Sequence, residues 1–288
     1  ELKKRGDPML RKATQDDLPA LVALRCKAAR TNRTDAAGWL QNVAGLENIL
    51  LLVKSGAPPA AMLAAVPVEY GQHHGVWLCG LAGEQGVPLD RLLPKLLESC
   101  LRAYGASGFD FAVMTPEGTQ HADALKQLGF TAQLPLRVLQ TPIRRELLAQ
   151  ASFDSLTVHK LLEMRHIYQP GCITLPESAM NEIMTQLYRR GLTVVSNRRG
   201  YGLYYTSGDT LQFLELQADN DHCADRLLQA AREKTGAANA RILLAESQTL
   251  YLGAGRRCGY GMLAFLGKPF PLWITFDATS FPSSQTGG

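Results

Sequence analysis

The order of elements between Leu81 and Phe130 constrains the fold of this chain more than any other feature. The sequence there reads as a strand, a loop, a long amphipathic helix, a second strand and a short helix that ends at Leu128-Gly129-Phe130. Apolar residues recur at helical spacing from Leu89 to Tyr104, and Phe109 to Met114 is a short apolar run of the kind found in buried strands. This order of strands and helices predicts an α/β fold.

Length, charge and cysteine usage set broad limits. The chain has 288 residues, which suggests about two domains, and its formal net charge of +4 is spread as isolated arginine pairs. We expect no nucleic-acid partner, because that binding needs basic residues gathered on one face. No stretch is apolar enough to span a bilayer, so we expect no membrane partner. Residues 1–8 lack the apolar core of a signal peptide, and six scattered cysteines without a CxxC pair predict reduced thiols, a cytoplasmic location and no metal site.

The first half begins with a marked helix start. Thr14 is a helix-capping residue type, and Asp17 lies three residues further on, as in a capping box.

Three strands are predicted between the helix that starts at Thr14 and the long helix of the first half. Ile49 to Val53 is an apolar run that predicts one of them. Ala60 to Tyr70 and Val76 to Ala82 predict two more strands, which a glycine-bounded loop joins into a hairpin.

The second half of the chain repeats the order of the first. Asp90-Arg91-Leu92-Leu93 opens the long helix of the first half, and Asp225-Arg226-Leu227-Leu228 lies in the corresponding helix of the second. Each helix follows a predicted hairpin, ends near a glycine and leads into a strand. This repetition predicts a diverged duplication with two domains, at 9–141 and 152–277.

This layout resembles the GNAT superfamily of N-acetyltransferases. The first half resembles one GNAT domain from about Met9 to Gln140, and the second half resembles a weaker copy. The pairing is similar to the two GNAT-like domains of enhanced-intracellular-survival acetyltransferases. The resemblance implies an α/β fold of two GNAT-like domains, each a mixed, mostly antiparallel sheet flanked by helices. It also implies acetyl-CoA as the cofactor and a small amine as the substrate.

The GNAT fold binds coenzyme A between two neighbouring strands that splay apart, and the next helix directs its N-terminus at the pyrophosphate. The family pattern at this turn is Arg/Gln-x-x-Gly-x-Gly/Ala, and it falls here on residues 88–93. Arg91 and Leu93 replace the two glycines, Pro88 removes an N–H donor, and Asp90 adds a negative charge. In the second half, the corresponding turn has three acidic residues and no glycine, which predicts repulsion of a pyrophosphate.

The resemblance nevertheless implies a set of cofactor-binding positions in the first half. Two of them, Gly83 and Gly86, are an alternative cradle for the pyrophosphate, since glycine lets the backbone approach a ligand closely. The full set is Leu81, Gly83, Gly86, Leu89 and Arg91.

Amine acylation needs a base for the ammonium proton and an acid for the leaving thiolate. In many GNAT enzymes a tyrosine in the short helix before Gly-Phe is the acid, and this position is Leu125 here. The candidate catalytic residues are Glu84, Glu117 and His121. Glu84 follows the strand end and is either a base, acting directly or through water, or a solvated loop carboxylate. Glu117 and His121 follow the next strand and are expected to face the cleft, although His121 at a helix start is alternatively a surface residue.

The sequence thus predicts an acyl-CoA-dependent N-acetyltransferase-like protein that acts on a small amine, with changed pyrophosphate-loop and acid motifs. One alternative is a catalytically inactive module on the same fold, with a small ligand or a partner peptide bound in the cleft. Another is a structural scaffold that forms homo-oligomers. These hypotheses differ in whether the cleft binds acetyl-CoA.

Overall fold

The computed structural model describes residues 9–53, 57–84, 89–145, 149–169, 171–246 and 248–271, without the side chains of residues 89–93 and 120. The strands are β1 (Met9–Lys12), β2 (Ile49–Val53), β3 (Ala61–Tyr70), β4 (His73–Gly83), β5 (Phe111–Met114), β6 (Ala132–Pro142), β7 (Thr193–Asn197), β8 (Gly200–Ser207), β9 (Thr210–Ala218), β10 (Asn239–Ala245) and β11 (Arg256–Phe265). The α-helices are α1 (Leu18–Ala29), α2 (Arg33–Gly38), α3 (Leu89–Ala106), α4 (Thr119–Gln127), α5 (Val158–Tyr168), α6 (Glu177–Arg189) and α7 (Asp221–Thr235). A 3-10 turn precedes α1, and a π-helical segment, Trp39–Ala44, follows α2.

All the described strands form one sheet in the order β1-β2-β3-β4-β5-β11-β6-β10-β9-β8-β7. Two neighbouring pairs, β4–β5 and β9–β10, are parallel, and the other pairs are antiparallel. With its flanking helices, this sheet confirms the predicted α/β class and its mixed, mostly antiparallel character.

The last strands of the two halves are exchanged. β11 from the second half lies between β5 and β6, while β6 from the first half pairs with β10. The halves predicted at 9–141 and 152–277 therefore share a continuous sheet, and each contributes a strand to the part of the sheet that belongs to the other. The apolar segment Leu272 to Phe276, whose sequence is typical of a further strand, lies outside the described residues.

The helices divide between the two faces of the sheet. On β4, Trp77 packs in the apolar cluster that contains residues of α1, α2, α5 and α6. Its neighbours Val76 and Leu78 point the other way and pack with α3 and α4, on the face that α7 also covers. This alternation follows from the two-residue repeat of a strand. We call the α1/α6 side the first face and the α3/α4 side the second face.

The predicted capping box at Thr14 and Asp17 is confirmed, and it also holds β1 against α1. The buried Asp17 carboxylate accepts hydrogen bonds from the Thr14 backbone N–H (2.8 Å) and from both terminal nitrogens of Arg11 (2.7 Å each). The hydrogen bonds from Arg11 hold the pKa of Asp17 well below its usual value, against the opposing effect of burial. One side chain therefore fixes both the helix start and the preceding strand.

We predict that Asp17→Asn lowers the free energy of unfolding at neutral pH by about 1–3 kcal/mol, because charge-assisted hydrogen bonds at a buried site are lost. Urea denaturation measures the change, with Asp16→Asn at the exposed neighbouring position as the control. Since the folded pKa of Asp17 is lowered, its contribution is present above the usual value of 3.8 and is lost as the pH falls through the folded value. The difference between variant and parent should therefore shrink in acid, and equal stability at neutral pH would contradict this role.

Candidate functional site

The parallel pair β4–β5 opens partway along its length. The strands pair from Gly75 and Phe111 to Leu78 and Met114, where β5 ends. β4 continues to Gly83, paired with β3 on its other side. Among the described strands, none pairs with β4 on the β5 side beyond Leu78, so peptide groups on that edge have no strand partner there. This gap matches the pair of splayed strands that the resemblance implied.

A β-bulge on β4 marks the point where the strands separate. The register between β3 and β4 shifts there, and Gly80 adopts a left-handed backbone conformation with φ of +64°. A Cβ atom at Gly80 would lie 2.4 Å from the Trp39 ring, so the position needs glycine for both its backbone and its space. The bulge directs the end of β4 away from β5 while the Trp39 ring packs closely on it.

A cavity of about 230 Å³ lies at this opening and reaches both faces of the sheet. Arg25 and Trp39 line it on the first face, whereas Met114 and His121 line it on the second. Helix α6, from the second half of the chain, forms another wall through residues that include Ile183. Two molecules could therefore meet in the opening, one entering from each face.

The wall formed by α6 is anchored through a buried carboxylate on α2. Asp35 Oδ1 lies 3.4 Å from Arg189 Nη1, and Asp35 Oδ2 lies 3.4 Å from Arg190 Nη2. Gln186 Nε2 also donates to the Asp35 backbone carbonyl at 3.0 Å. Asn32 caps α2 by accepting from the Asp35 N–H at 2.8 Å. These contacts fix the second half against the opening in the first.

His121 lines the cavity and carries a ring nitrogen without a partner in the described chain. Its Nδ1 accepts a hydrogen bond from the Glu117 backbone N–H at 3.0 Å, which assigns the proton of the neutral ring to Nε2. Nε2 is buried and has no hydrogen-bond partner among the described residues. Burial lowers the pKa of His121, against the opposing charge of Glu117, so the ring is neutral at pH 7. His121 therefore supplies a hydrogen-bond donor, Nε2–H, at the cavity.

Two further buried polar atoms at this cavity lack partners within the described parts of the chain. They are Nε of Arg25 and Oγ1 of Thr115, the residue that directly follows β5. Buried polar groups in folded proteins nearly always have hydrogen-bond partners, so a cluster of exceptions at one cavity calls for an explanation. A bound ligand that accepts and donates hydrogen bonds provides one.

The structure brings some of the residues predicted for this site to the same cavity. Leu81, Glu117 and His121 all line the cavity, with Glu117 exposed to solvent. Glu84 is also exposed, and its backbone N–H donates to the Ala60 carbonyl, but its side chain is not among those that line the cavity.

The predicted pyrophosphate turn is described only at its ends. Gly83 closes β4 and Leu89 begins α3, so a helix N-terminus does follow the open strand. Gly86 and the side chains of Leu89 and Arg91 lie outside the described residues. The cofactor-binding roles of these residues stay predictions.

Leu125 occupies the position that the resemblance assigns to a tyrosine acting as the general acid. It is fully buried in the cluster that joins α3 and α4 to the sheet, together with Phe130. Leu125 is therefore part of the core and is not among the residues that line the cavity.

The sequence prediction missed Arg25 and Trp39. Arg25 had a signal in the sequence, because it follows Leu18 and Leu21 at i+7 and i+4 and so places a charge on the apolar stripe of α1. For Trp39, the sequence carried no signal beyond its residue type.

The second half contains the same opening, but its own chain fills it. β9 and β10 pair only as far as Phe213 and Ile242 and then separate. The side chain of Gln248 lies in the gap, where Nε2 donates to the Leu216 carbonyl and Oε1 accepts from the Ala245 N–H at 3.2 Å. Gln248 thus occupies peptide groups of both separated strands that an extended ligand would otherwise contact.

The N-terminus of the helix that follows this second opening also bonds to other parts of the chain. The carboxylate of Asp221, the first residue of α7, accepts from the backbone N–H groups of Tyr251 (2.8 Å) and Leu252 (3.1 Å). The neighbouring Asp219 pairs with Arg199 at 2.9 Å. Asp219 and Asp221 of this turn therefore make their polar contacts with other residues of this chain.

The described residues offer neither a cluster of metal ligands nor a helix that could span a membrane. Within the described ranges, no group of three or more histidine, cysteine, aspartate or glutamate side chains is placed to hold a metal ion. No described helix combines the length and apolar character needed to cross a membrane.

Solved structures share this fold. A GCN5-related N-acetyltransferase from Anabaena variabilis superposes with a TM-score of 0.69 at 12% identity, covering 91% of this chain and 73% of its own. Eis1 from Mycobacterium abscessus superposes with a TM-score of 0.65 at 11% identity, covering 90% of this chain and 74% of its own. Saccharomyces cerevisiae N-myristoyltransferase with bound myristoyl-CoA superposes with a TM-score of 0.54 at 12% identity, covering 93% of this chain and 81% of its own. No protein-family model and no curated protein matches the sequence.

The chain thus has the fold of the GCN5-related N-acetyltransferases. The likeness to Eis1 extends over nine-tenths of the chain, as the tandem resemblance predicted. Identities this low establish the fold, and the site must be argued from the residues of this chain.

We predict that His121 makes the stability of the protein depend on pH. Its folded pKa is lowered from the usual 6.5, so the stability it contributes is present above 6.5 and is lost as the pH falls through the folded value. His121→Asn keeps an acceptor for the Glu117 N–H but does not titrate, so its free energy of unfolding should fall less in mild acid. Denaturation at several pH values measures this, with the exposed His166→Asn as the control. Parallel pH profiles for the parent and His121→Asn would contradict the assignment.

Proposed function

We propose that this protein transfers an acyl group from an acyl-coenzyme A thioester to a small amine at the opening between β4 and β5. The observation that carries the proposal is the opening itself, because it joins both faces of the sheet and is lined by buried polar atoms without partners. The bound myristoyl-CoA of the yeast neighbour supports a coenzyme A ligand on this fold.

The open edge of β4 is suited to the extended arm of coenzyme A. Beyond Leu78, alternate peptide groups on the β5 side have no strand partner among the described residues, so they are available to an extended ligand with amide groups. The N-terminus of α3 follows on the second face, where aligned peptide dipoles favour a pyrophosphate. We therefore place the donor on the second face.

The fit to coenzyme A is good at the thioester end and weaker at the pyrophosphate end. The open strand edge, Thr115 Oγ1 and His121 Nε2–H match a carbonyl and a sulfur in the opening. At the other end, Asp90 and Arg91 stand where the family pattern has a variable residue and a glycine, and Asp90 opposes an anion. We expect affinity for the donor to be modest for that reason.

The thioester supplies the acyl group and a thiolate leaving group. The ammonium form of the acceptor first loses one proton to give the free amine. The amine nitrogen then forms a bond to the acyl carbon, the carbon–sulfur bond breaks, the nitrogen loses a second proton, and the thiolate gains one, so one proton is released to solvent overall. The reaction thus needs no oxidant or metal ion for its balance. The protein contributes mainly by holding the two reactants together and by stabilising charge with fixed hydrogen-bond donors.

We assign His121 the role of donating a hydrogen bond from Nε2 to the sulfur as negative charge develops. It lies at the start of α4 on the second face, where the donor enters. A neutral imidazole is a poor proton donor, so the final proton on sulfur comes from solvent. Glu117 is exposed at the cavity and accepts the ammonium proton, directly or through water.

The second candidate function is binding without turnover, and a specific observation favours it. Leu125 is part of the core where related enzymes carry the acid, so no tyrosine protonates the leaving group from this position. Binding of acetyl-CoA with no acyl transfer to any of a panel of small amines would select this candidate. The same binding with transfer would select the enzyme.

We predict that isothermal titration calorimetry shows one acetyl-CoA bound per chain, since the opening in the second half is filled by Gln248. Thr115→Trp places a large ring in the cavity of the first half and should weaken binding about tenfold or more, because the arm and the indole would compete for one space. Thr131→Trp, at an exposed position outside the cavity, is the matched control and should bind as the parent does.

Three results would contradict the proposed donor site. They are no heat and no thermal stabilisation at millimolar acetyl-CoA, a stoichiometry of two, and unchanged affinity in Thr115→Trp. Thermal stabilisation is a sensitive readout, since a ligand at about 100 times its Kd adds about 2.7 kcal/mol to the free energy of unfolding.

A further inference from the structure

We propose that Arg25, stacked on Trp39, binds a carboxylate of the acceptor, so that the substrate class is small amines that also carry a carboxylate. The amine and its acylation rest on the proposed function above. The carboxylate site rests on the side chains of the first face alone.

Arg25 is a cation held in place without an anionic partner. The central carbon of its guanidinium lies 3.7 Å from the centroid of the Trp39 ring. Its Nε is buried without a hydrogen-bond partner, and no ion pair joins Arg25 to a described residue. A guanidinium held over an indole face keeps the N–H groups at its edges available for hydrogen bonds.

No anion bonded to Arg25 among the described residues balances its charge. Burial is the main cause that lowers its pKa, and the nearby Arg190 lowers it further. Arg190 already has partners, since its Nη2 lies 3.4 Å from Asp35 Oδ2 and 3.2 Å from Thr31 Oγ1. Glu117 and the Cys79 thiol act in the opposite direction, but neither is hydrogen-bonded to Arg25. A partly desolvated cation without a bonded counter-ion is costly unless a ligand supplies the charge.

The position of Arg25 assigns the anion to the acceptor. Arg25 and Trp39 line the cavity on the first face, whereas the N-terminus of α3 and His121 lie on the second. A donor whose pyrophosphate lies at α3 enters from the second face and brings its thioester into the opening. The molecule that reaches Arg25 is therefore the one that enters from the first face.

The geometry favours a carboxylate among the oxyanions. A guanidinium with a fixed plane offers two parallel N–H groups, which match the two oxygens of a carboxylate. A phosphate makes the same paired contact but is larger and more strongly hydrated, and the cavity, about 230 Å³, must also hold the thioester end of the donor. Apolar side chains, Trp39, Ile183 and Leu187, form part of the lining beside the polar groups. An amino-acid-like amine satisfies all of these features.

The test compares amines that differ only in charge at one end. The pairs are leucine with leucinamide and phenylalanine with phenylalaninamide, and phosphoethanolamine is added as the phosphate probe. Binding to the full chain is followed by NMR of the 15N-labelled protein, in which the side-chain N–H signals of arginine Nε and tryptophan Nε1 report the site. We expect each carboxylate to bind about tenfold or more tightly than its amide, with a shift of the Arg25 Nε–H signal.

Substitutions at Arg25 separate charge recognition from folding. Arg25→Met should abolish the preference for the carboxylate, whereas Arg25→Lys should keep part of it, since the charge remains but the paired N–H geometry does not. Arg30→Gln, at the exposed end of the same helix, is the matched control and should keep the full preference. Thermal midpoints of all three variants confirm that each is folded at the temperature of the measurement.

The proposal is overturned if the amides bind as well as the carboxylates, if none of the carboxylates binds, if phosphoethanolamine is preferred, or if the folded Arg25→Met or Arg25→Lys variant keeps the full preference. Acetyl-CoA binding is measured in parallel. Binding of acetyl-CoA without carboxylate selectivity overturns this inference and leaves the acyl-transfer proposal in place. Selectivity that depends on Arg25 without acetyl-CoA binding supports this inference and overturns the acyl-transfer proposal.

Discussion

The separation of β4 from β5 beyond Leu78 and Met114 is the constraint on which the site depends. Parallel pairing holds the two strands together at one end, and the bulge at Gly80 turns β4 away at the other. A continuous sheet would isolate its two faces, because the ladder of hydrogen bonds leaves no passage. The gap joins the faces instead, so the proposed donor on the α3 side and the proposed acceptor on the α1 side have a common space in which to meet.

The two halves show that this topology does not by itself produce a binding site. Both contain a parallel pair that separates, a feature of the shared fold. In the second half, Gln248 bonds to both separated strands and Asp221 holds the following loop. In the first half, the polar atoms at the gap remain without partners among the described residues. The second half also contributes to the open site, since α6 forms one wall of its cavity and β11 pairs with β5.

Local patterns predicted much of this structure. The capping box at Thr14 and Asp17, the strand Ile49–Val53 and the start of α3 at Leu89 each depend on residues within one or two turns. The exchange of β6 and β11 was not predictable, because the choice of partner depends on contacts between distant segments and both strands have similar apolar patterns. The sequence indicated Glu117 and His121 near the cleft and marked Arg25 as a charge on the apolar stripe of α1, but the contact between Arg25 and Trp39 depends on tertiary packing and was not predictable.

The most direct test of the opening is hydrogen–deuterium exchange with and without saturating acetyl-CoA. If the arm of the ligand pairs with the free edge of β4, amides within Cys79–Gly83 should exchange more slowly in its presence. Amides within Leu214–Ala218 of β9 should be unchanged, because Gln248 occupies the corresponding gap. Unchanged exchange in β4, or slowing confined to β9, would contradict the account.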